Sequence, residues 1–393
     1  MESIPDEILE YIFKFTTYKD WWNNIPLVSK RWYSVAKNSL ILSTKFYFDA
    51  KLDGYEEKKL EPIVINTNFL STNNHSVCGI EIYKDGFVVA NINGIIINLD
   101  FGNNKFTIFK ANGSIDLLRL GPILPSGEKS LIISGFFSTI DISNGHDLNE
   151  TVIALEKSEW LIRLVSFSGQ ILKTFKCPNN DFCNSHSNII NDTVISMDNS
   201  KLFSCSDDST IKCWSLDIQK NSKDSYIYTI GKEDNYDNNI GHTNGVYSIK
   251  ILNCNTLCSY SYDNTIRIWS ITNGLSLKVF YIGPNYFVNT SMLPNSRVYY
   301  HILLKKDNTL QVIKLNSKML FEINFGKEVF TSYVDSKCNF YFGVDNGIII
   351  CSKEGKIIHS LIENEDINVN SIKLSHDKKF IYAGFTNGVV KIY

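Results

Sequence analysis

The sequence predicts a mainly β protein that begins with a short helical segment, and three observations carry that reading. From about residue 75 onward, apolar runs of strand length alternate with Gly, Asn and Asp turns at regular intervals. Strand-favouring Ile, Val, Thr and Tyr are abundant, and aromatic residues make up 13% of the chain. The first forty residues instead repeat their apolar side chains at helical spacing. The two parts are therefore expected to have different tasks.

Bulk composition narrows the classes. The chain has 393 residues, enough for two or more domains around a large core. Apolar residues at 44% and charged residues at 20% are ordinary globular proportions, against disorder or a fibrous protein. A net charge of −2 with no long basic run argues against a nucleic-acid partner. No apolar stretch approaches the roughly 20 residues of a membrane span, so no membrane partner is expected. The N-terminus opens with acidic residues and reads as lacking a secretory signal. Nine cysteines, an odd number without a C-x-x-C pair, lie mostly in apolar strand-like runs as small hydrophobes, which predicts a reducing compartment, cytoplasmic or nuclear. The closest pairs, Cys254/Cys258 and Cys177/Cys183, lack a matching His or Cys cluster, so no metal and no cofactor is expected.

In the N-terminal part, Pro5 suits a first helical turn, and Asp6 and Glu7 lie near the positive end of the helix dipole. Ile8, Leu9, Ile12 and Phe13 form one apolar face. Asp20 caps a second short helix carrying Trp21 and Trp22, and a third after Pro26 carries Leu27, Val28, Trp32, Val35 and Ala36. Three short helices cannot bury so many large side chains among themselves. They must pack on the following domain or cover a partner. The run Ile4-Pro-Asp-Glu-Ile-Leu-Glu-Tyr-Ile-Phe13 with Leu27-Val-Ser-Lys-Arg-Trp32 resembles the F-box, over residues 3 to about 42. That resemblance implies a Skp-type adaptor as partner and, through it, a cullin–RING ubiquitin ligase. It assigns adaptor contact to Pro5, Ile8, Leu9, Ile12, Phe13, Leu27, Val28, Lys30 and Trp32. Ile4 stands where the family more often has Leu, and Pro26 falls in a stretch that is usually helical.

The clearest repeated unit runs Gly241-His-Thr-Asn-Gly-Val-Tyr-Ser-Ile-Lys-Ile251, then Thr256 through Asp263-Asn-Thr-Ile-Arg-Ile-Trp269. A second copy is Leu202-Phe-Ser-Cys-Ser-Asp-Asp-Ser-Thr-Ile-Lys-Cys-Trp214. Both resemble the WD repeat of β-propellers, whose units run about 40–45 residues. His242, Ser259, Asp263 and Trp269 are expected to form a buried relay tying turn to strand, since buried polar groups need partners. A nucleophilic triad is the lesser reading, because these residues fall at the repeat's own positions. Only this unit shows the full set; the third lacks the Gly-His pair.

Reading by strands gives seven units, with six or eight as the alternatives because the second is the least regular, at about 75–110, 115–176 with an insertion near 137–149, 187–231, 242–282, 285–325, 328–362 and from 368. The last reaches only its third strand at Tyr393, and the segment 60–65 is expected to supply the fourth, removing an open edge. The predicted organisation is thus a three-helix F-box at 1–45, a short linker at 46–60 and a seven-bladed propeller at 61–393.

The resemblance also points to a target-binding face. Several F-box propellers hold phosphorylated segments with arginines, but the corresponding positions here are Asp207, Tyr247, Tyr262 and Thr386, none of them basic. An aromatic or polar recognition surface is expected instead, with turn-filling tyrosines as the plainer alternative. No G-x-S-x-G, H-E-x-x-H or Gly-rich phosphate loop occurs, so no catalytic residue is assigned. The leading expectation is a non-catalytic substrate receptor of a ubiquitin ligase; the alternative is an interaction scaffold that delivers nothing to ubiquitin transfer.

Overall fold

The computed structural model describes residues 63–66, 76–84, 86–100, 105–111, 113–140, 156–176, 185–220, 222–230, 241–282, 286–292, 299–304, 308–314, 318–362, 367–375 and 378–393. These residues form seven four-stranded antiparallel sheets. The sheets are the blades of a β-propeller. Their innermost strands, in chain order, are Val77–Tyr83, Leu117–Leu120, Ile190–Ile195, Val246–Asn253, Tyr286–Met292, Val329–Val334 and Val369–Leu374. Each inner strand packs against the inner strands of both neighbouring blades, and the seventh returns to the first, which closes the ring.

Local chemistry explains the blades. Strand side chains alternate between the two faces of a blade, and both faces are covered by neighbouring blades, so the strands are apolar on both sides. Ile249, Leu257 and Trp269 of the fourth blade meet Phe203, Cys205 and Cys213 of the third in one buried cluster. Between second and third strands the chain turns through a left-handed residue, with φ between 61° and 81° at Gly94, Ser209, Asn264, Asn308 and Gly388. Gly and Asn are favoured there because they tolerate that conformation. This is the regular Gly/Asn/Asp punctuation seen in the sequence.

The ring is joined by the segment Ile63–Asn66, which pairs antiparallel with Val389–Ile392 and sets Ile63 opposite Ile392. It lies slightly C-terminal to the 60–65 stretch that the sequence nominated. The second blade departs from the others. Its middle strands, Ser130–Ile140 and Glu156–Ser166, pair along all of their length and are the longest of the described strands. Phe136 and Trp160 face each other across this pair with ring centroids 5.1 Å apart.

One irregularity recurs and bears on function. In blades one, three, four, five, six and seven the register slips by one residue near the start of the inner strand. Such a bulge re-aims the extra residue. Cys78, Asn191 and Asn370 occupy this slot, and all three line the central channel.

Candidate functional site

The turns of one face are held by buried relays. In the fourth blade the Trp269 Nε1–H donates to Ser259 Oγ at 2.6 Å, and Ser259 lies 2.6 Å from His242 Nε2. His242 Nδ1 is 2.8 Å from Asp263 Oδ2. Indole nitrogen can only donate and an ionised carboxylate can only accept, so the chain of donors runs Trp to Ser to His to Asp and places the histidine proton on Nδ1. Asp263 also receives the backbone N–H of Thr243 and, at its other oxygen, the N–H and hydroxyl of Thr265. Burial holds His242 below its ordinary value despite the neighbouring carboxylate. Burial would raise Asp263, but the bonds from His242 and Thr265 dominate and hold it well below the usual carboxylate range. The relay is a structural clamp with no exposed nucleophile, Ser259 being fully buried.

The third blade corrects the sequence reading. It has no Gly-His pair, yet it builds the same relay from His186, Ser204, Asp208 and Trp214. Trp214 Nε1–H donates to Ser204 Oγ at 2.8 Å, and His186 lies 2.8 Å from both Ser204 Oγ and Asp208 Oδ2. The relay needs the two imidazole nitrogens, whereas the residue before the histidine makes none of these bonds. Ser185 therefore substitutes for glycine, and the fourth unit is not alone in having the full set.

Above these relays, blades three and four bring three of the four nominated face residues together. Tyr247 and Tyr262 pack with ring centroids 4.6 Å apart. Asn191 Nδ2–H donates to Asp207 Oδ1 at 2.6 Å and to the Val246 carbonyl at 3.0 Å, tying the third blade's turn to the fourth blade's inner strand. Gly245 sits between them. A Cβ there would lie 2.8 Å from Asp207 Oδ1 and 3.3 Å from the Tyr262 ring, so a side chain would pry the cluster apart. Tyr262 is 53% exposed, leaving a phenol at the surface. Burial raises both phenols, helped at Tyr262 by Asp207, so both remain neutral donors. Thr386 stands elsewhere, at the seam of the seventh and first blades. Its Oγ1 accepts from the Asn368 N–H, and its carbonyl accepts from Ser76 Oγ.

The channel below contains a feature that the sequence reading missed. Five charged side chains from five consecutive blades form an alternating chain. Lys373 contacts Glu81 at 3.2 Å, Glu81 lies 3.6 Å from Arg119, Arg119 binds Asp192 at 2.9 Å, and Asp192 binds Lys250 at 2.5 Å. Asp192 also accepts from Ser248 Oγ and the Ile249 N–H. Burial would raise its carboxyl, but Lys250 and Arg119 outweigh this and hold it at about 2. Arg119, Lys250 and Lys373 face a cavity of about 580 Å³. Among the described residues no group of three or more His, Cys, Asp or Glu side chains is arranged to hold a metal ion.

The nine nominated adaptor contacts, Pro5 through Trp32, lie outside the described residues. Comparison with known families speaks to that part of the chain. The F-box-like family profile matches residues 1–49. The profile of the WD domain, G-beta repeat, matches residues 173–215, 236–270 and 355–393. The chain is an F-box/WD-repeat protein. The first two WD matches contain the relay-bearing strands of blades three and four, and the third covers the ring-closing seventh blade. No curated protein matches the chain. The F-box/WD-repeat architecture is typical of non-catalytic adaptor and receptor proteins; F-box domains generally bind Skp-type adaptors, and WD repeats bind targets.

Proposed function

We propose that this F-box/WD-repeat protein is the substrate-recognition subunit of a cullin–RING ubiquitin ligase. The observation that carries the reading is the presence of an F-box-like segment and WD repeats in one chain. On this reading the N-terminal segment holds a Skp-type adaptor through Leu9, Ile12, Phe13 and their neighbours, and the propeller holds the target. The protein makes and breaks no bonds. It raises the effective concentration of target lysines near a ubiquitin-charged enzyme.

The recognition surface is proposed at Asp207, Tyr247 and Tyr262, with Thr386 as a separate contact across the ring. The paired tyrosines support this: a packed aromatic pair offers large contact area with little rotamer entropy left to lose. A reducing cytoplasmic or nuclear location is proposed with it, supported by thiols such as Cys205, Cys213 and Cys258 that serve as small core hydrophobes. Leu9→Asp combined with Phe13→Asp tests the assignment. The wild-type chain should co-purify with adaptor and cullin, and the double variant should lose both while the propeller stays folded. Undiminished adaptor binding by the double variant would overturn it.

A further inference from the structure

We infer that the mouth of the central channel takes one basic side chain of a captured target, a lysine or an arginine, with Asp116 as its counter-ion. The inference deepens the receptor reading and rests on it for the identity of the guest as part of a target protein.

Asp116 lines the cavity at the start of the second blade's inner strand. Its backbone N–H donates to the Ser134 carbonyl at 2.9 Å, which fixes the residue to the blade. Its Oδ2 is buried and has no hydrogen-bond partner among the described residues. A buried carboxylate oxygen without a donor is unfavourable, and a site that leaves one open is poised for a ligand that brings the donor. Neighbouring lining residues Cys78, Asn191 and Asn370 are uncharged and supply no compensating cation.

The channel's own cations do not fill that role. Arg119 follows Asp116 by three residues along the chain, about 10 Å deeper for an extended strand. Arg119, Lys250 and Lys373 are each engaged by Asp192 or Glu81. The three cations share two carboxylates and keep one net positive charge, but each is held by Asp192 or Glu81 and none donates to Asp116 Oδ2. Burial accordingly raises the Asp116 carboxyl above its ordinary range. An ammonium or guanidinium group would supply both the missing charge and the missing N–H donors. The cavity, about 580 Å³, lies within the range of small-ligand sites and admits one long side chain.

The test uses the full chain and short capped peptides, Gly-Gly-X-Gly-Gly, in which X is arginine, lysine, citrulline or glutamate. Binding is followed by NMR to millimolar peptide. The arginine or lysine peptide should saturate the site, and Asp116→Asn should weaken it at least about tenfold. The citrulline and glutamate peptides should not bind. Asp116→Asn should melt no lower than the wild type, because it removes a half-buried carboxylate whose Oδ2 has no donor and leaves the shape intact. Equal binding of citrulline, preference for glutamate, no saturable binding, or unchanged affinity in Asp116→Asn would each overturn the inference. None of these measurements involves the adaptor, so failure here is distinct from failure of the receptor reading, which adaptor co-purification reports.

Discussion

His186 Nδ1 and Asp208 Oδ2 stand 2.8 Å apart in the third blade, the same separation as His242 Nδ1 and Asp263 Oδ2 in the fourth. Each pair is one link in a relay that ends on a buried tryptophan, Trp214 or Trp269. Two adjacent blades therefore hold their face turns by the same bonds, and those turns carry Asp207 and Tyr262.

The matched geometry predicts matched losses. Ser204→Ala and Ser259→Ala each strand a buried indole N–H and an imidazole nitrogen, at a cost of about 1–3 kcal/mol per orphaned group. Urea unfolding of the two variants should show similar drops in midpoint. Sensitivity confined to the fourth blade would show that the third relay is not formed.

The relays also predict a pH dependence. Burial holds His186 and His242 below the ordinary histidine value of 6.5. Above that value both folded and unfolded chains carry neutral imidazoles, and stability is flat. As pH falls below it, the unfolded chain binds protons that the folded chain refuses, so stability declines by up to about 1.4 kcal/mol per pH unit per histidine. Asp208 and Asp263 are held below 3.8, which adds a further loss as the pH drops beneath that value. Urea midpoints measured from pH 8 to pH 5 should fall only below about 6.5. A level profile across that range would contradict neutral buried histidines.

Asp192 joins three blades through Arg119, Lys250 and Ser248. Asp192→Ala leaves Lys250 without its carboxylate and Arg119 with Glu81 alone, and should cost about 2–4 kcal/mol, less than a fully buried pair because both cations keep some solvent. Its carboxyl, held at about 2 against an ordinary 3.8, contributes stability above 3.8 that is lost as pH falls towards 2. Calorimetry should show a lower Tm at neutral pH and a shallower acid limb than the wild type. An unchanged Tm would mean that the charge chain is not formed.

Tyr262 is half exposed, whereas Tyr247 also packs on the buried cluster of Cys258, Tyr260 and Ile266, so changing both to Ala should lower the urea midpoint without abolishing the fold. Target capture by the folded double variant should weaken by about tenfold or more. Full capture by a folded double variant would remove them from the recognition surface.

Much of this fold was legible because repeats announce themselves locally. Thr-Ile-x-x-Trp after an Asp turn marks both relay blades, and Gly241-His242 marks the start of the fourth. His186 escaped because the glycine before a histidine is a weaker requirement than the histidine itself. The channel charges escaped for a different reason. Glu81 and Lys373 bond directly, yet they stand 292 residues apart, and each reads singly as a lone charge in an apolar strand. Only ring closure puts them side by side. Asp116 was hidden likewise, since its significance lies in a missing partner and sequence shows no partners at all. Thr386 shared a repeat position with Tyr262, but equal position in different blades places residues around a ring and not next to one another.

The most direct measurement of the central claim is reconstituted ubiquitin transfer. The purified chain, assembled with adaptor, cullin, RING subunit and charged conjugating enzyme, is presented with a target recovered by its propeller. Ubiquitin should be added to the target, and addition should stop when either Leu9/Phe13 or Tyr247/Tyr262 is changed. A target that binds through the propeller and is never modified would make this protein a scaffold and contradict its assignment as a ligase receptor.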